Sequence, residues 1–458
     1  MQTVAFMTLG CKVNSYETDK MKESFLRAGC RVVDFTEKAD VYVVNTCTVT
    51  NIADRKSRQM LHRAKKKNPD SVIVAAGCYV DSARKKKQTD EAQGVDVLIP
   101  NGDKSRIVEI VQAYLEEKAG QVQGGTSQLE KHGGELSGTL QPEEELLKLA
   151  DSHTRAYIEI QTGCNQYCSY CIIPYVRGAL KSKPEQAAVE EIRGYAQRGY
   201  KEVVLTGIHL SSYGVDGSGA KQFTELSGKP LLSVIRSVSE IPGIQRIRLG
   251  SLEPRIITED FARELSEIPG ICPHFHLSLQ SGCDETLRRM NRKYTTEEYL
   301  GKVEILRKYF DNPAITTDVI VGFPGESEEE FAKTKEFLAT VGFAQMHIFR
   351  YSLRQGTMAA GIKEQVPEQE KARRSGILLD LERELRNVYR SGFLGKAQEV
   401  LFEEETEIGG KPYYIGYTTR YVRIAQPAQD AEFSLKDVHT GVFGSVVPKQ
   451  ILSEDFLG

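Results

Sequence analysis

The chain lacks any apolar run near the ~18 residues that a membrane span needs. Its opening residues, Met1-Gln2-Thr3-Val4-Ala5-Phe6, lack a basic n-region and run straight into strand-like sequence, so no secretory signal is expected. A cytoplasmic location, with no membrane partner, is the resulting expectation. Strong charge of either sign is also missing. At a net −3, no global field draws nucleic acid to the surface, and any RNA contact must come from local patches. A disulfide framework is excluded too, because nine cysteines in a cytosolic chain of 458 residues read as metal or redox chemistry instead. This length exceeds what one compact core serves, so two or three domains are expected.

What is present is most telling at Cys164, Cys168 and Cys171, spaced C-x3-C-x2-C with no fourth Cys or His nearby. Three thiolates on one loop can hold three irons of a 4Fe–4S cube and leave the fourth without a protein ligand. Iron–sulfur clusters usually have a full ligand set. The gap therefore reads as a position for something else to bind iron, as in an open catalytic metal site. A zinc site or chance spacing is the alternative.

Residues 1–115 alternate strand patterns (4–9, 39–45, 71–76, 95–99) with helical ones (15–28, 54–67), which predicts an open parallel sheet with helices on its faces. Residues 116–150 lose that periodicity and read as a linker. From 151 to 380 six further βα units are expected, with strands at 157–161, 202–206, 246–250, 275–279, 316–321 and 345–351. Such a series forms a partial or full α/β barrel whose chemistry sits at the strand ends. Those ends carry Cys164, His209, Glu253, Gln280, Glu326 and Arg354. A long charged helix is expected over 367–393. Residues 381–458 are assigned as the last domain, with short strands at 400–403, 413–417, 421–424 and 440–446 that suggest a small β-barrel.

Cys11, Cys47 and Cys78 each follow a predicted strand of the first domain. In an open parallel sheet these ends share one edge, where ligands bind, so three distant cysteines are expected to converge as a second, again incomplete, ligand set. Cysteine is also a common buried apolar residue. Cys30 and Cys272 are assigned to packing, and Cys283 to the edge of the site without a role.

The blocks Thr8-Leu9-Gly10-Cys11-Lys12-Val13-Asn14, Asn45-Thr46-Cys47-Thr48-Val49-Thr50 and Ala76-Gly77-Cys78 resemble the N-terminal domain of radical S-adenosylmethionine (SAM) methylthiotransferases. The run from Cys164 to Cys171, Ile173-Pro174-Tyr175-Val176-Arg177-Gly178, Gly250-Ser251-Leu252-Glu253-Pro254, Leu279-Gln280-Ser281-Gly282 and Val319–Glu326 resemble further blocks of that family. The C-terminal segment resembles a TRAM domain, a small RNA-binding module. GCKVN and NTCTVT are similar to the branch that acts on N6-threonylcarbamoyladenosine beside the tRNA anticodon, at position 37. Methylthiolation of isopentenyladenosine, or of a ribosomal-protein aspartate, is the alternative.

The resemblance implies two 4Fe–4S clusters, held by Cys164, Cys168 and Cys171 and by Cys11, Cys47 and Cys78. The first would cleave SAM reductively to a carbon radical, which can activate the inert C2–H bond of adenine. The second would carry the sulfur that a second SAM methylates. Both would have to reach one substrate atom. Glu253 is the candidate for a ribose hydroxyl, with a capping carboxylate as the alternative. Gly322 and Gly325 would let backbone approach SAM, and Tyr170 would pack along the adenosyl group or in the core. A flavodoxin- or ferredoxin-like reductant, a sulfur donor, tRNA and a monomeric state complete the expectations.

For tRNA, the basic helix 54–67, the pairs Arg288-Arg289 and Arg292-Lys293, and Tyr413, Tyr414, Tyr417 and Tyr421 with Arg420 and Arg423 are candidate contacts. Deleting 395–458 is expected to weaken tRNA binding and spare SAM cleavage.

Overall fold

A computed structural model describes residues 2–86, 94–122, 154–215, 226–435 and 440–458. The chain divides into two compact units, Met1–Ser152 with Tyr175–Arg177, and His153–Pro174 with Gly178–Gly458.

The first unit is built on five parallel strands: β1 (Thr3–Thr8), β2 (Arg31–Val33), β3 (Val41–Thr46), β4 (Val72–Gly77) and β5 (Val97–Ile99), in the order β2-β1-β3-β4-β5. β3 and β4 are buried at every position, as parallel strands covered on both faces must be. Alternate side chains feed two separate cores. Val4, Val43 and Val74 pack with Met21, Phe25 and Ile107 on one face. Ala5, Tyr42 and Ile73 pack with Leu61, Ala64 and Val80 on the other. The helix Asn51–Lys67 starts where the Thr50 hydroxyl accepts from the Ala53 N–H, one of the orphan donors of a first turn. β2 follows Cys30, where the sequence suggests a core strand; it is instead a three-residue strand at the sheet edge. The helix Ile107–Val122 runs seven residues into the stretch expected as linker, and 123–150 lies outside the described residues.

In the second unit, six strands run parallel: β6 (Ala156–Thr162), then, after the two-residue antiparallel edge strand β7 (Lys181–Ser182), β8 (Glu202–Gly207), β9 (Arg246–Leu249), β10 (His274–His276), β11 (Ala314–Val321) and β12 (Gln345–Arg350). They form two sheets, β7-β6-β8-β9 and β10-β11-β12, joined by parallel bridges at Ile247–Ile271 and Leu252–Leu277. The result is the expected incomplete barrel. One parity of side chains, among them Ile158, Leu205, Ile247, Phe275 and Val319, packs under the helices in one continuous core. The opposite parity is largely polar.

The helix Glu368–Ser391 is continuous across residue 380, where the sequence suggests a domain boundary. It leads to an antiparallel sheet of β13 (Gln398–Ile408), β14 (Lys411–Thr418), β15 (Arg423–Pro427) and β16 (Val442–Val446), ordered β15-β14-β13-β16. This sheet closes the base of the half-barrel. Arg248 is fully buried; its Nε lies 2.8 Å from Glu202 Oε1, and its Nη atoms donate to the Thr419 and Thr418 carbonyls at 3.0 and 3.2 Å. Arg246 donates to the carbonyls of Tyr417 and Glu399. Tyr417 and Tyr421 stack at 4.6 Å, with Arg155 over both rings and Arg248 over Tyr421. Arg420 donates to the Asp311 and Asn312 carbonyls. These side chains, read from the sequence as RNA contacts, are occupied inside the unit. The rule that aromatic–arginine groups serve nucleic acid fails here because the same chemistry holds two layers of one fold together.

Removing 395–458 would strip the acceptors from buried arginines, so the truncated chain is expected to unfold or aggregate rather than report on tRNA. The narrower change Arg248→Met leaves Glu202 buried without its closest partner and should cost about 3–5 kcal/mol. Urea unfolding of the full-length variant checks this; a loss under about 1 kcal/mol would refute it.

Candidate metal centres

Cys11, Cys47 and Cys78 lie just beyond the C-terminal ends of β1, β3 and β4, three neighbouring strands. The loops are tied together by Asn14, whose side-chain amide donates to the Leu9 carbonyl at 2.6 Å and the Thr46 carbonyl at 3.0 Å. Gly10 has φ +106°, and a Cβ there would lie 2.8 Å from Cys47 Cβ, so glycine is required for the close approach of the first two loops. Asn101 donates to Cys78 Sγ at 3.6 Å, and the Cys11 thiol faces Asn14 Oδ1 at 3.9 Å. Burial pushes the Cys47 thiol up to about 11, and Cys78 and Cys11 push in the same direction. Burial also raises the Cys11 thiol, and the cation opposing that rise is Arg177, which bonds Glu17 Oε1 at 2.9 Å and Asn14 Oδ1 at 2.7 Å. Asn14 and Arg177 stand inside the sequence blocks that resemble the family, but their bonding depends on contacts 163 residues apart.

Cys164, Cys168 and Cys171 occupy the loop after β6. Gly163, at φ +69°, sits so close to the 178–179 backbone that a Cβ would lie 2.1 Å from the Ala179 oxygen. The segment 289–292 clamps the loop from the other side. Ser169 N–H donates to the Met290 carbonyl, Asn291 Nδ2 to the Tyr167 carbonyl, and Arg292 Nη1 to Cys168 Sγ at 3.2 Å. Burial raises the Cys164 thiol to about 12 and raises Cys171 as well, with Cys168 adding to the latter. Arg292 also bonds the Tyr294 hydroxyl and the Ser278 carbonyl. The sequence assigned Arg292 and Arg289 to RNA. The structure corrects this: Arg292 serves a cysteine sulfur, and Arg289 is paired with Glu330.

The remaining predicted contacts lie around this loop. Glu253 is buried; Arg255 holds Oε1 at 2.7 Å, while Oε2 has no hydrogen-bond partner. Its side chain makes no capping bond to the short helix it precedes. His209 is in the same condition: Nδ1 meets Ser212 Oγ at 2.7 Å, and the buried Nε2 has no partner. Burial, with Arg292 and Arg255 adding, depresses its pKa to about 3, so the ring is neutral. Gly322 has φ +67°, and Lys371 fills the place its Cβ would take, so packing alone requires glycine there. Gly325, at φ +76°, has the Arg289 side chain as its nearest neighbour, in ordinary contact at 3.4 Å. Tyr170 packs with Met290, Phe323, Tyr351 and Ala359. Gln280, at φ +76°, is a strained non-glycine residue four residues past β10, bridged to Val319 of β11.

A single zinc ion spaces tetrahedral sulfurs by about 3.8 Å, given its ~2.3 Å bonds. Among the described residues, neither cysteine trio has its three sulfurs within 4.8 Å of one another. The raised thiols would release protons on binding iron. The buried Glu253 Oε2 and His209 Nε2 are each left able to form one more hydrogen bond.

The comparisons agree with this geometry. Residues 158–338 match the radical SAM superfamily, and residues 3–100 match the uncharacterized protein family UPF0004. The fold is similar to a radical SAM methyltransferase, TsrM, from Kitasatospora setae, with a TM-score of 0.52 at 15% identity over 76% of this chain and 75% of that one. Fold and cysteine loop together define a radical SAM protein. Threonylcarbamoyladenosine tRNA methylthiotransferase MtaB of Bacillus subtilis is 39% identical over 93% of this chain and 90% of its own. Its namesake from Aquifex aeolicus is 38% identical over 88% and 94%. The tRNA-2-methylthio-N(6)-dimethylallyladenosine synthase of Acetivibrio thermocellus is 32% identical over 88% and 81%. The chain belongs to the radical SAM methylthiotransferase family, in its MtaB branch.

Two measurements follow. Wild-type protein reconstituted without oxygen should hold about eight irons per chain, the content of two cubes. Cys168→Ala should retain about half, as should Cys47→Ala, and Mössbauer spectra should show that different halves remain. The neutral His209 ring makes stability acid-sensitive. Its folded pKa lies below the ordinary 6.5, so between pH 6.5 and about 3 the unfolded chain binds the extra proton, and stability falls as pH falls through that window. The maximum slope is ~1.4 kcal/mol per pH unit. Urea unfolding at pH 6.5 and pH 5.5 should show a shallower loss for His209→Gln than for the wild type.

Proposed function

We propose that this protein adds a methylthio group to C2 of N6-threonylcarbamoyladenosine at position 37 of tRNA. The observation that carries the reading is the recurrence of one device in both units: three cysteines, incomplete as a ligand set, placed past the C-terminal ends of parallel strands, three strands in the first unit and β6 alone in the second. Cys164, Cys168 and Cys171 would hold one 4Fe–4S cluster, and Cys11, Cys47 and Cys78 the other. When bound, the first cluster supplies the electron for reductive SAM cleavage and the second holds the sulfur to be transferred.

The chain's own residues do the rest. Arg292 holds a cation 3.2 Å from the Cys168 sulfur. Asn14 fixes the spacing of Cys11 and Cys47. Glu253 Oε2 would accept a ribose hydroxyl, and Arg255 keeps that carboxylate oriented. Gly325 and Tyr170 would border the bound nucleoside, while Gly322 admits Lys371. A small one-electron reductant protein of the flavodoxin or ferredoxin kind, a separate sulfur donor, a cytoplasmic setting and a monomer belong to the same reading. Among the described residues no helix is long and apolar enough to cross a membrane.

Relatives named for the dimethylallyladenosine reaction stand at 32% identity, against 39% for the first threonylcarbamoyladenosine relative, which favours the latter substrate. Nucleosides from tRNA of cells lacking this gene should contain threonylcarbamoyladenosine without its methylthio form, and restoring the gene should restore that form. Restoration of methylthio-isopentenyladenosine instead, or of a methylthiolated protein aspartate, would replace the proposal.

A further inference from the structure

We propose that His276, Asp318 and His347 form a site for one divalent cation in the lumen of the half-barrel. The three residues lie on β10, β11 and β12. Parallel register pairs His276 with Thr316 and Asp318 with His347, so strand alternation brings them to one face, opposite the parity packed under the helices. One ligand atom from each lies within 4.8 Å of the other two, the compactness that neither cysteine trio has. This set has the spacing of ligands to a single ion.

The donor chemistry is specific. Two imidazoles and one carboxylate are the set that leaves a transition-metal ion with open positions, and the absence of thiolate suits Zn2+, Fe2+ or Mn2+. His276 Nε2 and Asp318 Oδ2 are 3.4 Å apart, wider than the usual N–H···O hydrogen bond. Two ligands at ~2.1 Å from a tetrahedral ion lie about 3.4 Å from each other. The other ring nitrogen, His276 Nδ1, meets Thr316 Oγ1 at 3.1 Å, the orienting contact that metal-bound histidines have. Asp318 keeps 32% of its side-chain surface and His347 is exposed, so the open positions of the ion face solvent in the lumen.

The cation deepens the functional reading above and rests on it for its role. A threonylcarbamoyl group ends in a carboxylate beside a hydroxyl and a carbonyl, all oxygen donors that complete such an ion. An isopentenyl group offers none. The ion would therefore select the substrate by its acidic side chain, while SAM and the clusters act elsewhere on the base.

Mn2+ is the probe, added to the holoenzyme with both clusters oxidised and silent in electron paramagnetic resonance, so that the six-line signal counts free ion. One Mn2+ should bind per chain, at least tenfold more weakly in Asp318→Asn and in His347→Ala at unchanged iron content. N6-threonylcarbamoyladenosine should tighten Mn2+ binding several-fold, and N6-isopentenyladenosine should not. No saturable binding, or undiminished binding in both variants, overturns the site. Binding indifferent to both nucleosides overturns its role in selection. The functional reading fails on a separate signal: no 5′-deoxyadenosine when the reduced wild-type enzyme meets SAM.

Discussion

A parallel strand fixes its own C-terminal end, because the hydrogen-bond ladder sets where each neighbour stops. Everything functional in this chain depends on that constraint. β1, β3 and β4 are adjacent, so three cysteines separated by 36 and 31 residues arrive on one edge without any loop having to reach for another. The loops then need only local fastening, which Asn14 and the missing Cβ of Gly10 supply. β6 does the same for Cys164, and there the fastening is a clamp from 289–292. Cysteines on unconstrained loops would give thiols with no fixed spacing, and the entropy of ordering them would have to come out of metal binding.

Guanidiniums withdrawn from solvent recur in both units. Arg177 stands by the first cysteine set, Arg292 by the second and Arg248 at the base. The three do different things by the same physics. A buried cation is tolerable only with acceptors around it. Arg248 has Glu202 and two carbonyls and is complete as it stands. Arg292 has a tyrosine hydroxyl, a carbonyl and a cysteine sulfur, and the sulfur becomes a far better partner once ionised. Arg177 leans on Glu17, which Lys104 also bonds. Cations placed beside thiols offset the negative charge that the cysteines acquire as metal ligands.

The sequence showed the strands and the cysteines because both are local. Buried parallel strands such as Val41–Thr46 are near-continuous apolar runs, and a cysteine at the end of such a run can be seen from its neighbours alone. The partners were hidden because they come from elsewhere in the chain. Arg292 lies 124 residues from Cys168 and looked like one more surface cation beside Lys293. Tyr417 and Tyr421 had the composition of an RNA-stacking surface, and only the fold shows that arginines of the same unit occupy them. His276, Asp318 and His347 form no motif at all, since their meeting depends on register across three strands joined by long helical crossovers.

The same register explains why the half-barrel needs its C-terminal sheet. A closed barrel filled with branched apolar side chains holds itself together from within. Here the lumen side carries Glu202, Arg246, Arg248, His276, Asp318 and His347, groups that cost free energy to bury unless each is bonded. At the bottom the pairing comes from the β13–β16 sheet, whose carbonyls and tyrosines receive the arginines. Higher up, His347 and Phe349 on β12 remain exposed, and the lumen there stays polar and open. Stability is thereby confined to the helix side and the base. The middle and upper lumen are free to bind, and the strand ends above them carry the cysteine loop and the orphaned atoms of Glu253 and His209.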